Sequence, residues 1–479
     1  MHSPENSRGG YFPRIRNAGA LRRLNRFLAS PFYILLLTVA ALAGHALAAE
    51  VAVYWLFVAI AVYTLLLGDD LLPLMPLVVL CYVLPSPKNN PGLNTQSLFS
   101  LDNSGSALIA MAIVLIAALI VRIVADWNGF GKPLFTAKRS LWLGLLLLSA
   151  AYLLSGIGYS QYEALFTQNL LFAFVQICAI ALPYFLFSGG VKWEKAPKDY
   201  LAWTGFCVGC LLLAEILLVY ASGTVVVDGV ILRKKIFTGW GMYNNMGGML
   251  AMMIPFVFYL ASRFNKQWLG IVGGAVFLVG VLLTCSRSSI IVGSGIYLLC
   301  VVLMLSFSHN RKSNAIALGT ILGFGLIGIL LFRQSLQSLF EDILNRGLNL
   351  NSRDMIFRNG WQMFKEHPVL GSTFYPPDNM SYSWSTNTGF TSFFPARWHN
   401  TIIQLLASCG LVGLVAYLFH RVQTVVLLIR NRSRESVFIA CSVLVLLITS
   451  MFDCHMFNVG PVLFYSMALA FVEYRSAKE

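Results

Sequence analysis

Apolar residues gather along this chain in runs of about seventeen to twenty-two, the length that crosses a hydrocarbon layer of roughly 30 Å as an α-helix. The pattern predicts about fourteen such helices, eleven within residues 31–333 and three within residues 400–474. Residues 1–30 are polar and basic. No small-residue cleavage site follows the first apolar run, so that run reads as a retained span. One long polar stretch, residues 334–399, interrupts the pattern. It opens with Leu336, Leu339, Phe340, Ile343 and Leu344 at amphipathic helical spacing, and Gly347 stands at the C′ position. Ser352 is placed to cap a second helix with Phe357, Trp361 and Phe364 on one face, which Pro368 ends. Beyond Gly371 the stretch turns irregular. Tyr375, Tyr382, Trp384, Phe390, Phe393, Phe394 and Trp398 lie there among Ser, Thr and Asn. Such rings either stack on sugar faces or pack the loop upon itself.

The predicted fold class is an all-α polytopic membrane protein with about 14 transmembrane helices and one large extracytoplasmic loop containing short helices. Residues 1–30 form a cytoplasmic basic N-terminus and residues 475–479 a cytoplasmic C-terminus; 334–399 is the loop. Composition agrees. Hydrophobic residues make up 57% of the chain and charged residues 11%, under half the charged share of an average soluble domain. The spans leave no room for a soluble domain beyond the loop.

Charge adds orientation. The net charge of +14 sits in short loops, which is the positive-inside pattern and argues against nucleic acid as a partner. With the N-terminus in the cytoplasm, most of the 34 Lys and Arg fall on the cytoplasmic side. The basic residues left outside are clustered. Arg233, Lys234 and Lys235 precede one span, and Arg287 occupies a very short turn between two others. Arg333, Arg346, Arg353, Arg358, Lys365 and Arg397 belong to the loop, and Lys88 stands apart. Positive charge on the outer face opposes the topological trend and points to an anionic ligand. Most of the nine cysteines fall within spans. Cys207 and Cys210 have CxxC spacing but lie in an apolar helix without further ligands, so they read as small buried side chains. The outer acidic residues form no Asp-x-Asp, and no P-loop or Rossmann turn occurs.

His399-Asn400, nine residues, then Gly410-Leu411-Val412-Gly413 resembles the His-Asn-x9-Gly-x-x-Gly signature of O-antigen ligases and the related O-antigen polymerases. Ser352-Arg353, Trp361 and His367-Pro368-Val369-Leu370-Gly371 are similar to the segment that opens the same family's periplasmic loop. Thr284-Cys285-Ser286-Arg287 resembles a Ser-Arg turn of the family, and Gly239 to Asn245 the entry to another span. The chain departs from the pattern where Gly-x-Gly commonly follows the His-Pro segment; here it reads Gly371-Ser372-Thr373.

The resemblance implies a membrane glycosyltransferase, a ligase or a surface-polysaccharide polymerase. It would move a glycan from an undecaprenyl-diphosphate donor to a hydroxyl of a glycan, lipid or protein acceptor. The implied place is the outer face of the bacterial cytoplasmic (inner) membrane, with residues 334–399 as the catalytic loop. The lipid carrier supplies activation, so no cofactor and no metal are expected. The leaving diphosphate calls for arginine, which bonds phosphate oxygens in a bidentate way. Arg287, Arg353 and Arg233 are the candidates. The acceptor hydroxyl needs a base, and His399 is the candidate for base or acceptor-orienting group. Asn400 either caps the following span or orients His399, and Gly410 and Gly413 allow close helix packing. Glu215, inside a span, is either a bundle partner or a catalytic group. His45, His420 and His455 read as structural. The alternative is a flippase or transporter of lipid-linked oligosaccharide, which predicts charges along a central cavity and internal repeats.

Overall fold

The computed structural model of the chain describes residues 19–47, 49–84, 103–160, 162–227, 230–238, 241–264, 266–306, 311–331, 333, 353–375 and 398–475. Apolar runs fold as α-helices throughout. They are α1 (Gly19–Leu28), α2 (Pro31–Ala46), α3 (Glu50–Leu67), α4 (Leu74–Val83), α5 (Asn103–Ala125), α6 (Lys132–Thr136), α7 (Trp142–Leu153), α8 (Tyr162–Gly190) and α9 (Tyr200–Ala221). There follow α10 (Tyr243–Arg263), α11 (Gln267–Leu283), α12 (Arg287–Ser306), α13 (Arg311–Leu331), α14 (Arg353–Glu366), α15 (Thr401–Arg430), α16 (Arg434–Thr449) and α17 (Val459–Arg475). Two small antiparallel hairpins interrupt the helical pattern between α9 and α10. They pair Val226–Val227 with Val230–Ile231, and Phe237–Thr238 with Gly241–Met242.

Among the described residues, six helices are long and apolar enough to cross a membrane, or up to eight if each of two bent pairs is one span. Hydropathy predicts about fourteen. The difference has a physical source. An apolar run counts residues in turns and bends as well as in helix, and α4 and α7 keep only 10 and 12 residues of regular helix. The basic N-terminal segment is also partly helical, since α1 meets α2 at a bend of 71°.

Helix α10 is the hub. Every residue from Met246 to Ala261 is buried. Its small residues make that possible. A methyl group on Gly247 would come within 2.6 Å of the Thr284 hydroxyl, and one on Gly248 within 2.6 Å of the His455 ring. Around the hub pack α9, α11, α12 and α16. A second tight pair, α8 and α17, is tied by the Ser466 hydroxyl donating to the Ile180 carbonyl at 2.7 Å.

One buried cation braces the periphery. Arg122 of α5 is 1% exposed. Its guanidinium donates to the carbonyls of Leu65 and Gly68, both at 3.0 Å, at the end of α3, and lies over the Phe130 ring at 4.8 Å. Those carbonyls are the unpaired acceptors of a helix C-terminus, where a cation is favoured. Arg122→Ala strands them in an apolar setting. We expect a loss of roughly 2–4 kcal/mol, read as a lower thermal unfolding midpoint in detergent. An unchanged midpoint would rule the brace out.

Candidate active site

The site is assembled at one end of the bundle, where α15 begins. Trp398 is 1% exposed and packs with Met363 and Ala407. Asn400 caps α15, its side-chain oxygen accepting from the backbone N–H of Ile402 at 2.8 Å and of Ile403 at 3.2 Å. Its amide nitrogen donates to the Met451 carbonyl at 3.0 Å. Both ends of the Asn400 amide are therefore engaged in structure, and the capping alternative is the one the geometry favours. Between these two anchors His399 adopts φ 49°, a left-handed conformation uncommon for a residue other than glycine. The buried tryptophan on one side and the cap on the other hold it there.

His399 Nδ1 lies 3.2 Å from Asp453 Oδ1. The His399 side chain is 32% exposed, whereas that of Asp453 is 6% exposed. Asp453 also accepts from the Cys454 N–H at 2.8 Å and from the Asn244 amide at 3.3 Å. A carboxylate held this way is an acceptor only. In a neutral imidazole such an acceptor favours the tautomer with the proton on Nδ1, which leaves Nε2 as the acceptor nitrogen. Asn244 belongs to the first turn of α10, and the neighbouring Asn245 accepts from Asn458 at 3.0 Å. The N-terminal end of the hub helix is thus tied to the loop that carries Asp453.

The candidate arginines fall into two groups. Arg233, in a 3-10 turn (Arg233–Lys235), stacks over the Tyr243 ring at 4.7 Å, directly before Asn244. Its Nε is buried and has no hydrogen-bond partner. Arg287 opens α12, two residues from Ser289, whose hydroxyl donates to the Asn244 carbonyl at 3.4 Å. The turn before it contains Cys285 at φ 53°, a second left-handed non-glycine residue. Arg233 thus meets Tyr243, His399 reaches Asn244 through Asp453, and Arg287 lies two residues from the Ser289 that bonds Asn244. Arg353 opens α14, and among the described residues no hydrogen bond or ion pair joins it to the others.

Helix α14 packs on α15 through Ile356, Gly360 and Met363. Trp361 and Phe364 share a face as the spacing predicts, with ring centroids 5.0 Å apart, but the contact with α15 is made by the other three residues. A methyl on Gly360 would come within 2.6 Å of both Ile403 and Trp398, so the glycine sets the close approach, and Trp361 is left 47% exposed. Tyr375 and Trp398, two of the aromatic residues weighed for sugar stacking, are buried. Burial pushes the Tyr375 phenol up to about 12. Both rings serve packing. The other aromatic candidates, the helix predicted across Leu336–Leu344, and Arg346 and Arg397 lie outside the described residues.

Gly410 is not a helix-packing glycine. It sits at φ 62° and ψ −158°, a kink inside α15. The kink frees backbone groups that the 367–371 segment satisfies. Leu411 N–H donates to Pro368 at 2.9 Å, Val412 N–H to Val369 at 3.2 Å, and Ser372 N–H to Ala407 at 2.9 Å. Gly371, at φ 69°, fits against Ser408 and Cys409, while Gly410 fits against Val369. The two motifs are halves of one joint. Thr373, where the family pattern has a second glycine, also has a positive φ, 93°.

Asp453 was not among the sequence candidates. It falls in the gap between the last two apolar runs, which the charge-based topology puts on the same side as His399. An acidic residue in a short outer loop was the available signal. Glu215 is buried in α9, and His455, at 1% exposure, lies against Gly248.

No curated protein matches the chain. The family model described as O-antigen ligase matches residues 272–418, from α11 through the kinked α15, a range that contains Arg287, Arg353, His399 and Asn400. Over these residues the chain is similar to the O-antigen ligase family, and the match supports the O-antigen ligase-like superfamily.

Proposed function

We propose that the protein transfers a glycan from an undecaprenyl-diphosphate donor to an acceptor hydroxyl at the outer face of the bacterial cytoplasmic membrane, without a metal ion. The observation that carries the proposal is the hydrogen bond between His399 Nδ1 and Asp453 Oδ1, with Asp453 held in turn by Asn244. In this reading His399 Nε2 takes the proton of the acceptor hydroxyl as its oxygen attacks the anomeric carbon. Asp453 stabilises the imidazolium that forms. The bond to the diphosphate oxygen breaks, and the growing negative charge is met by Arg287 and Arg233. Arg353, within the matched family range, is the third candidate for the diphosphate. The family match supports a glycan-transferring activity, and Arg233 over Tyr243 at the start of α10, with its Nε unpaired, supports an anionic leaving group.

The test is a transfer assay in a host deleted for its own ligase and polymerase. Wild type is expected to attach or extend surface glycan. A single transferred chain marks a ligase, and a ladder of lengths a polymerase. Arg287→Ala at matched membrane levels is expected to reduce transfer roughly 10- to 100-fold, the value of a charge-assisted bond to phosphate. Movement of lipid-linked glycan across vesicles by purified wild type, with no new glycosidic bond, would overturn the enzyme reading.

A further inference from the structure

The end of the bundle opposite His399 carries a cleft. Helix α17 starts beside the His455–Phe457 turn and runs to Glu473, about 20 Å farther along the axis at 1.5 Å per residue. There the Glu473 carboxylate accepts from the Ser140 backbone and hydroxyl and from the Tyr184 hydroxyl, and Tyr474 donates to the Lys138 carbonyl. This places the Lys138–Ser140 segment at the far end. A cleft of about 460 Å³ opens beside it, lined by Phe135, Lys138, Arg139, Trp142 and Phe185 among others.

The local chain explains the cleft. After Ala125 the backbone turns by 102°, through a π-helical turn, so that Trp127–Thr136 runs across the bundle axis and not along it. Trp127 and Phe135, with ring centroids 5.8 Å apart, are 48% and 62% exposed, and Trp142 is 51% exposed. Exposed Trp and Phe on a crosswise segment at a bundle end match the level where hydrocarbon meets headgroups. Arg139 forms the polar wall. Its guanidinium donates to Ser188 at 2.6 Å, to the carbonyls of Ala137 and Phe185 at 3.2 Å, and to that of Leu134. All four partners are neutral. Lys138 beside it is exposed. Among the described residues no ion pair involves either cation.

We propose that this cleft binds the headgroup of one anionic glycerophospholipid, with the phosphate against Lys138 and Arg139 and the acyl chains along Phe135 and Trp142. Charge complementarity selects the occupant: two cations that make no ion pair among the described residues face a groove lined also by the rings of Phe135, Trp142 and Phe185. A juxtamembrane cation near an anionic leaflet is attracted to it, and aromatic walls favour a ligand that continues as hydrocarbon over a soluble phosphate. The site lies away from the transfer chemistry and does not depend on it.

The experiment uses full-length protein in nanodiscs of mixed phosphatidylglycerol and phosphatidylcholine, followed by gentle delipidation and native mass spectrometry. Wild type is expected to retain phosphatidylglycerol over phosphatidylcholine by roughly tenfold, the scale set by two interfacial cations. Lys138→Glu should abolish that preference, whereas Arg22→Glu, a charge reversal on α1 outside the cleft, should keep it. Millimolar glycerol 3-phosphate should leave the bound lipid in place. Equal retention of both lipids by wild type, an intact preference in Lys138→Glu, an equal loss in Arg22→Glu, or displacement by glycerol 3-phosphate would each overturn the proposal.

Discussion

His399→Asn is expected to abolish glycan transfer while leaving the fold intact. The choice of asparagine matters. His399 sits at φ 49°, and asparagine is among the few residues that enter the left-handed region readily. The substitution therefore removes the imidazole without adding backbone strain, which alanine would not do. A positioned general base contributes typically 10²- to 10⁴-fold, and the loss should fall in that range. Asp453→Asn tests the other half of the pair. An amide in place of the carboxylate can present N–H to Nδ1, reverse the tautomer and leave the imidazolium unstabilised, so a fall of at least about 10²-fold is expected. The measurement is the initial rate of transfer by purified protein from a lipid-linked donor, with the unfolding midpoint recorded beside it. Wild-type rates in His399→Asn would remove the imidazole from the mechanism. A lowered midpoint that accounts for the lost rate would make the pair structural.

The second large effect is expected at the joint between the loop and α15. Alanine at Gly371 would overlap the Ser408 backbone, and alanine at Gly410 would overlap the Val369 carbonyl. Neither neighbour is the flexible tip of a side chain. The added methyl also meets a positive φ at both sites, 69° and 62°. Left-handed strain, backbone overlap and loss of the bonds from Leu411, Val412 and Ser372 together come to roughly 3–5 kcal/mol. Against a typical margin of about 5–15 kcal/mol, such variants should accumulate poorly or unfold several degrees earlier. Gly295→Ala is the control, because nothing lies within 4 Å of the added methyl. It should be neutral or slightly stabilising in a helix. Thermal stability in detergent, compared across the three variants, decides the matter. A Gly371→Ala protein as stable as Gly295→Ala would show that the joint does not brace the site.

Much of the candidate site was legible along the chain. His399-Asn400 stands at the junction of a polar stretch and an apolar run. Arg287 and Arg233 are conspicuous because the charge-based topology puts them outside the cytoplasm, against its own trend. The cap at Asn400 follows from a side chain that competes for backbone N–H groups just before a helix. Its partner was not legible. Asp453 is 54 residues from His399, and no periodicity links the two positions. The spacing of Phe357, Trp361 and Phe364 marks one face of α14 but not which face packs on α15; Gly360 decides where the helix makes its close approach.

The sequence by itself determined that this is a helical membrane protein, where its apolar segments lie, and which polar residues stand at their ends. It could do so because the bilayer imposes one demand, about twenty apolar residues per crossing, that is local in the chain. Only the tertiary structure decided which apolar runs become long helices and which become short ones, because buried protein and lipid favour the same apolar side chains. It alone also joined His399 to Asp453, tied both to Asn244 at the start of α10, and locked Gly371 into the kink at Gly410. Those pairings depend on hydrogen-bond distance and backbone overlap between distant segments, and such constraints leave no periodic trace in a single chain.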